Sequence, residues 1–129
     1  MRVTVNSTGL NELAAVLDAA AEDVVDEGRK VVARGAMNIK KDARRFASGI
    51  AHAPSYPYSI GYDTKVSGAT VSAEIGPDKA KRQGALGNIL EYGTVNNAPY
   101  AHLGPALDIE GPRFVAAVEK LGADLLEDQ

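Results

Sequence analysis

The residue types that carry out most covalent enzyme chemistry are scarce in this chain. It contains no cysteine, and its two histidines, His52 and His102, each lie beside a proline-containing loop. The histidines could bind a metal ion together with Glu91 or Asp108, as in a small hydrolase, but no spacing such as H-E-x-x-H supports that site. We therefore interpret both as surface or loop histidines, and we expect no catalytic, metal-binding or cofactor-binding residues.

Length and composition limit the class of protein. The chain has 129 residues, of which 45% are hydrophobic, and this size suits a single domain over residues 1–129. The net charge of -3 argues against a protein that mainly coats phosphates, although it allows a local basic patch. No stretch approaches the roughly 20 apolar residues of a membrane span, and no signal-peptide core follows the first residues. The sequence favours a soluble, untargeted protein that is not an enzyme and has no membrane partner.

The first third of the chain favours helix. Asn6, Ser7 and Thr8 offer capping oxygens, and a heptad spacing begins directly after them. Its large positions are Leu10, Leu17, Val24 and Val31, and its small positions are Ala14, Ala21, Gly28 and Gly35. Small side chains permit close backbone approach, so we expect tight packing on the chain's own sheet, with an intermolecular coiled coil as the alternative.

The length of this helical region constrains how it can pack. One unbroken helix over residues 8–47 would be roughly 60 Å long. A compact domain of this size has a radius of gyration of only about 14 Å. Either the helix breaks near residues 19–21, or it projects and is covered by neighbouring copies.

Charge is segregated along the same region, with acids first and bases after them. The acids are Glu12, Asp18, Glu22, Asp23, Asp26 and Glu27, and the bases are Arg29, Lys30, Arg34, Lys40, Lys41, Arg44 and Arg45. The pattern complements a helix dipole. The same segregation is also consistent with an acidic end of one copy that contacts the basic end of another copy, or with a basic end that faces DNA.

The rest of the chain predicts a small sheet and two more helices. Alternating apolar residues on either side of Ser67-Gly68-Ala69 predict a β-hairpin over residues 60–75. Apolar residues at helical spacing predict a short helix that ends at Gly93, and Pro112 opens a final amphipathic helix of about four turns. The expected fold class is α+β, with a long N-terminal helical region, an antiparallel β-hairpin-based small sheet, a short helix and a C-terminal amphipathic helix.

Tyrosine supplies most of the aromatic side chains. The tyrosines are Tyr56, Tyr58, Tyr62, Tyr92 and Tyr100. Tyrosine has an apolar ring and a polar hydroxyl, so it suits a surface that is partly apolar and partly solvated. We therefore expect the tyrosines at interface or core-rim positions, with base stacking on nucleic acid as a minor alternative.

Several short segments resemble the neck and tail-completion protein family of long-tailed phages. Glu91-Tyr92-Gly93-Thr94 matches the family's Glu-Tyr/Phe-Gly-Thr motif in full. The family's next segment is matched at Pro99-Tyr100, Leu103 and Pro105-Ala106-Leu107, with Ala101-His102 inserted and Gly104 where the family often has arginine. Upstream, the family's Ala-Pro segment survives only as Ala53-Pro54 and Ser59-Ile60. The order of predicted elements follows the family along nearly the whole chain.

The resemblance implies a structural subunit that forms an oligomeric ring in the virion neck, made in the host bacterial cytoplasm. Such a ring joins the portal-side connector or stopper to the tail, contacts other neck and tail proteins, and lets double-stranded DNA pass without sequence-specific binding. Sixfold symmetry is favoured over twelvefold. The candidate interface residues are Glu91, Tyr92, Gly93, Thr94, Pro99, Tyr100, Leu103, Pro105, Tyr56 and Tyr58. The candidate charged contacts are Glu22, Asp23, Asp26, Glu27, Arg34, Lys40, Lys41, Arg44 and Arg45.

Two alternatives remain open at this point. Gly93 can adopt the positive φ that ends a helix, while Glu91 either accepts hydrogen bonds from a neighbouring loop or is a solvated carboxylate beside a local cap. The alternative function is a small DNA-binding module that uses the basic end of the long helix as a phosphate-contacting face.

Overall fold

A computed structural model describes residues 3–6, 21–68 and 70–127 of the chain. In order, the elements are strand β1 (Val3–Asn6), helix α1 (Ala21–Phe46), strands β2 (Ile60–Ser67) and β3 (Thr70–Pro77), and helices α2 (Gly87–Tyr92) and α3 (Leu103–Glu127). Short 3₁₀ turns precede β2 and α2, at Tyr56–Ser59 and Gly84–Leu86. The α+β class, with its long helix, small antiparallel sheet, short helix and C-terminal helix, is as predicted. The expected helix start at residue 8 and any break before Ala21 lie outside the described residues.

Helix α1 forms the centre of the fold because one of its faces is continuously apolar. Val32, Ala36, Ile39 and Ala43 recur at helical spacing and are almost completely buried. The helix packs against β2 and β3 and also against α3. It ends where the Ser48 hydroxyl donates to the Arg44 carbonyl at 2.7 Å and Gly49 follows with a φ of 85°. A positive φ is favourable only for glycine, so this position stops the helix.

The sheet is antiparallel with the strand order β1-β3-β2. The hairpin register runs from Ile60 opposite Pro77 to Ser67 opposite Thr70, and Gly68 lies in the turn with a φ of 60°. Alternate β3 residues are buried, as a strand with one face on a helix requires. The β-hairpin prediction is therefore confirmed, and β1 adds a third strand on the other edge of β3.

Helix α3 begins at Leu103, so the prediction that Pro112 opens this helix was wrong. Pro112 lies inside the helix, where it has no N–H to donate to the Asp108 carbonyl. Asp108 and Pro112 are both exposed, so solvent can hydrate the Asp108 carbonyl. Gly111 has no Cβ to clash with the proline ring, which removes much of the usual penalty on a helical residue before proline. Within the described residues, no helix combines the length and apolar character needed to cross a membrane.

The small-residue seam of α1 packs closely at Gly35, but against α3 and not against the sheet, so the predicted packing partner was wrong at this position. A Cβ added there would lie 3.1 Å from Cδ1 of Phe114 on α3, which is closer than an ordinary contact. Gly28 is also buried, whereas Ala14 lies outside the described residues. The absent side chain at Gly35 therefore sets the distance between α1 and α3.

We expect Gly35→Leu to destabilise the protein by about 1–3 kcal/mol or more, because the new side chain must displace the Phe114 ring or separate the two helices. The midpoint of urea denaturation measures this loss. Ala116→Leu is the matched control, since Ala116 is exposed on α3 and a larger side chain there meets solvent. Equal midpoints for Gly35→Leu and the wild type would contradict close packing at this crossing.

Candidate functional site

The Glu91 carboxylate caps the N-terminus of α3 from outside that helix. Its Oε1 accepts hydrogen bonds from the backbone N–H groups of His102 at 3.0 Å and Leu103 at 2.8 Å, and its Oε2 accepts one from Gly104 at 3.3 Å. Helix N-termini leave such donors unpaired and carry partial positive charge, so a carboxylate stabilises them in both respects. The expectation that Glu91 accepts hydrogen bonds from a neighbouring segment is confirmed, and the alternative of a solvated carboxylate was wrong, because the residue is buried.

The chain between Glu91 and α3 is held in a compact loop. Gly93 has a φ of 75° and a ψ of -175°, a conformation that is essentially restricted to glycine. The loop closes through the hydrogen bond from the Thr94 N–H to the Asn97 carbonyl at 2.9 Å. The Tyr100 N–H then returns to the Leu90 carbonyl at 2.6 Å. The predicted helix end at Gly93 is confirmed, and the Glu-Tyr-Gly-Thr motif forms the turn that brings Glu91 to α3.

His102 extends this capping arrangement into the core. Its Nε2 lies 2.6 Å from the Tyr56 hydroxyl, and its Nδ1 lies 2.8 Å from the Tyr100 carbonyl and 3.1 Å from Glu91 Oε1. A carbonyl oxygen only accepts, so Nδ1 carries a proton, and Nε2 forms the second hydrogen bond of the ring with the Tyr56 hydroxyl. The two rings meet edge to face at 5.1 Å. His102 lies in the loop directly before α3, as predicted, but it is fully buried, so the alternative of a surface position was wrong for this residue. The prediction is confirmed for the exposed His52.

Burial raises the pKa of the Tyr56 phenol well above its usual range, and the Glu91 carboxylate raises this pKa further. A phenol with a raised pKa in the folded state holds its proton more tightly there than in the unfolded chain. Its contribution to stability is therefore fully present below the unfolded pKa of about 10 and is lost as pH rises above that value.

We accordingly expect the free energy of unfolding to fall more steeply above about pH 10 in the wild type than in Tyr56→Phe, which has no phenol to titrate. Urea denaturation at a series of alkaline pH values measures both slopes. The other tyrosines and the lysines titrate in both proteins, so the difference between the slopes reports Tyr56. Parallel slopes would show that burial and the Glu91 carboxylate do not raise the pKa of this phenol.

Large apolar side chains are exposed on the segment that the Glu91 cap holds in place. Ile89 and Tyr92 lie on α2, and Val95 and Tyr100 lie in the loop after it. Their exposed fractions are 50% for Ile89, 66% for Tyr92, 103% for Val95 and 47% for Tyr100. We call these four side chains the 89–100 surface. Tyr58, on the first 3₁₀ turn, is exposed as well.

The structure separates the candidate interface residues into three groups by burial. Tyr58, Tyr92, Thr94, Pro99 and Tyr100 are exposed, and Gly93 and Pro105 are partly buried. Tyr56, Glu91 and Leu103 are buried. These three side chains therefore lie beneath the surface of the chain, and their contact with a partner stays a prediction.

Several of the basic residues at the end of α1 already have partners within the chain. The Arg44 guanidinium donates twice to the Ile60 carbonyl, at 3.0 Å and 2.7 Å, and joins the end of α1 to the start of β2. Arg45 pairs with Asp42 at 3.1 Å. The Lys40 ammonium lies 5.7 Å from the centre of the Tyr62 ring, and burial followed by the nearby positive charges of Arg44 and other bases lowers the pKa of Lys40.

The other candidate charged contacts are distributed along α1. Arg34 and Lys41 are exposed on this helix, as is Asp26. Glu27 forms an ion pair with Lys30 at 3.1 Å. The side chains of Glu22 and Asp23 lie outside the described residues.

Sequence reasoning missed the pairing of His102 with Tyr56, and it also missed a buried carboxylate at Glu110 on α3. The signal for His102 was its position in the segment Tyr100-Ala101-His102-Leu103, where apolar neighbours on both sides favour burial. Across the described part of the chain, no three His, Asp or Glu side chains are grouped so that they could hold a metal ion.

Comparisons with protein-family models, with curated proteins and with solved structures found no match to this chain.

Proposed function

We propose that this protein is a structural subunit that assembles with copies of itself into a ring, at the head-to-tail junction of a long-tailed phage. The observation that carries this proposal is the 89–100 surface, four large apolar side chains that are about half to fully exposed on a well-tethered segment. Groups of exposed apolar side chains, and aromatic ones especially, are typical of surfaces that bind another protein. The role assigned here requires no covalent chemistry.

The way this surface is built supports an interface role. The segment after α2 is held by the Gly93 turn, by the hydrogen bond from Tyr100 to Leu90 and by the Glu91 cap on α3. A surface that is ordered before binding loses less conformational entropy when a partner docks. Rigid support under exposed tyrosine and valine side chains is therefore what a self-assembling subunit needs.

The resemblance supplies the location and the other partners in this proposal. The Glu-Tyr-Gly-Thr motif forms the turn that presents the 89–100 surface, and the segment from Pro99 to Leu107 leads into the helix that Glu91 caps. We infer a ring in the virion neck, with sixfold symmetry favoured, which contacts the connector or stopper on one side and the tail on the other. Double-stranded DNA passes through its channel without sequence-specific contacts.

The contacts of the basic residues give less support to the alternative, a DNA-binding module. That role needs several free cations on one face of α1. The proposed phosphate contacts are Arg34, Lys40, Lys41, Arg44 and Arg45. Arg44 is bound to the Ile60 carbonyl and Arg45 to Asp42, so two of these five residues serve the fold or are locally paired. No contact in the described residues favours this role over self-assembly.

Multi-angle light scattering tests the proposal by measuring the mass of the protein in solution over a range of concentrations. We expect a mass that is a multiple of the subunit mass, and a shift toward the monomer in Val95→Asp, which places a charge on the 89–100 surface. Lys79→Asp is the matched control, because Lys79 is exposed outside that surface. A wild-type protein that remains monomeric at every concentration would overturn the proposal.

A further inference from the structure

A groove of about 330 Å³ lies between α1 and α3, and no residue of the 89–100 surface lines it. Its walls are formed by Val31, Arg34 and Gly35 of α1 and by Glu110, Arg113 and Phe114 of α3, together with flanking residues. The groove combines an aromatic ring with charges of both signs. The function proposed above makes no use of it.

The Glu110 carboxylate in this groove is only half satisfied. The side chain is 4% exposed, and its Oε1 accepts a hydrogen bond from Asn38 Nδ2 at 3.1 Å. Its Oε2 is buried and has no hydrogen-bond partner among the described residues. Buried polar atoms without partners are rare because losing hydration without replacement is unfavourable. A ligand that donates a hydrogen bond to Oε2 would relieve that loss.

The positively charged side chains at the groove limit which ligands can donate a hydrogen bond to Glu110 Oε2. Lys30 is already paired with Glu27. Arg34 and Arg113 have neither a hydrogen bond nor an ion pair with any residue that the structure describes. A simple cation bound at Glu110 would be repelled by these two guanidinium groups, and a simple anion would be repelled by Glu110.

We propose that this groove binds a small zwitterion of the α-amino-acid type with an apolar side chain. Its ammonium group donates to Glu110 Oε2, and its carboxylate faces the guanidinium groups of Arg34 and Arg113, which bind carboxylates well. Its apolar part lies against Phe114 and Val31. The Phe114 ring lies directly against Gly35 and forms a wall of the groove, since a Cβ at Gly35 would approach this ring to 3.1 Å.

NMR titration of the ¹⁵N-labelled full chain tests this proposal with three probes of matched shape. L-norleucine carries both charges, n-pentylamine is the same molecule without the carboxylate, and hexanoate is the same molecule without the amine. We expect norleucine to shift the amide signals of residues lining the groove and to bind at least tenfold more tightly than either single-charge probe. Absence of binding by norleucine, or equal binding by pentylamine or hexanoate, would overturn the proposal.

A second arm of the experiment uses variants of the same full chain. Glu110→Gln preserves the shape of the side chain and its contact with Asn38, and we expect it to weaken norleucine binding at least tenfold. Glu119→Gln removes the same charge from an exposed position on α3, and we expect it to bind like the wild type. Unchanged norleucine binding by Glu110→Gln would show that Oε2 does not hold the amine. The amide spectrum of each variant reports whether it is folded.

Discussion

Glu91→Ala is expected to destabilise the protein by about 3 kcal/mol. The substitution removes the acceptor of three backbone N–H groups at the start of α3, those of His102, Leu103 and Gly104. Leaving buried donors without partners costs about 1–3 kcal/mol each, although water admitted to the space left by the side chain offsets part of the total. The loss also removes a negative charge from the positive end of the helix dipole.

Urea denaturation measures this effect directly, with Glu91→Gln as a graded comparison. Glutamine retains one oxygen acceptor but points an NH₂ group at backbone donors, so we expect a loss of about 1–2 kcal/mol for that variant. Glu119→Ala is the control, because Glu119 is exposed on α3 and its substitution should change stability by about 0.5 kcal/mol or less. If Glu91→Ala were no less stable than Glu119→Ala, the capping role of Glu91 would be wrong.

Gly93→Ala has the second large expected effect, a loss of about 3 kcal/mol or more. A non-glycine residue held at this φ and ψ carries strain of about 1–3 kcal/mol. In addition, a Cβ at Gly93 would lie 2.7 Å from the Asn97 carbonyl oxygen and 2.8 Å from the Pro99 nitrogen. Both are backbone atoms, so the loop must open to admit the methyl group.

Gly49→Ala measures the cost of an unfavourable backbone conformation without the steric clash that an added Cβ makes at Gly93. Gly49 also has a positive φ, of 85°, but a Cβ there would have no neighbour within 4 Å. We expect about 1 kcal/mol of destabilisation at Gly49, which reflects the backbone conformation alone. Equal thermal midpoints for the two alanine variants would contradict close packing of the loop against Gly93.

The parts of the fold that could be predicted from the sequence are those specified by neighbouring residues. The β-hairpin was predictable because Ile60, Tyr62, Val71 and Ile75 alternate with other residues on both sides of a turn that contains Gly68. The long helix was predictable from its apolar spacing, and the end of α2 from Gly93. These signals act within a few residues, so tertiary contacts did not override them.

The start of α3 could not be predicted because its cap is distant in the sequence. The acceptor of the Leu103 N–H is Glu91, 12 residues earlier in the chain. The sequence signal for a helix start is a capping side chain directly before the first turn, so a distant cap gives no such signal. Pro112 provided a strong local start signal, but Gly111 and an exposed Asp108 allow the helix to continue through it.

The burial of His102 also depends on a distant partner. Its Nε2 forms a hydrogen bond with Tyr56, 46 residues earlier, and nothing near either residue in the sequence indicates that pair. The tyrosine composition did predict exposed aromatic positions, and Tyr58, Tyr92 and Tyr100 occupy them. Composition describes the whole set, however, and it could not show that Tyr56 is the tyrosine that fills the core.

Electron microscopy of the purified protein tests self-assembly through the 89–100 surface most directly. We expect closed rings with an open central channel for the wild-type chain, with segment 89–100 at the boundary between adjacent subunits. We expect no rings for Val95→Asp. Isolated single subunits in the wild-type images, or rings whose subunits meet elsewhere and persist in Val95→Asp, would contradict self-assembly through this surface.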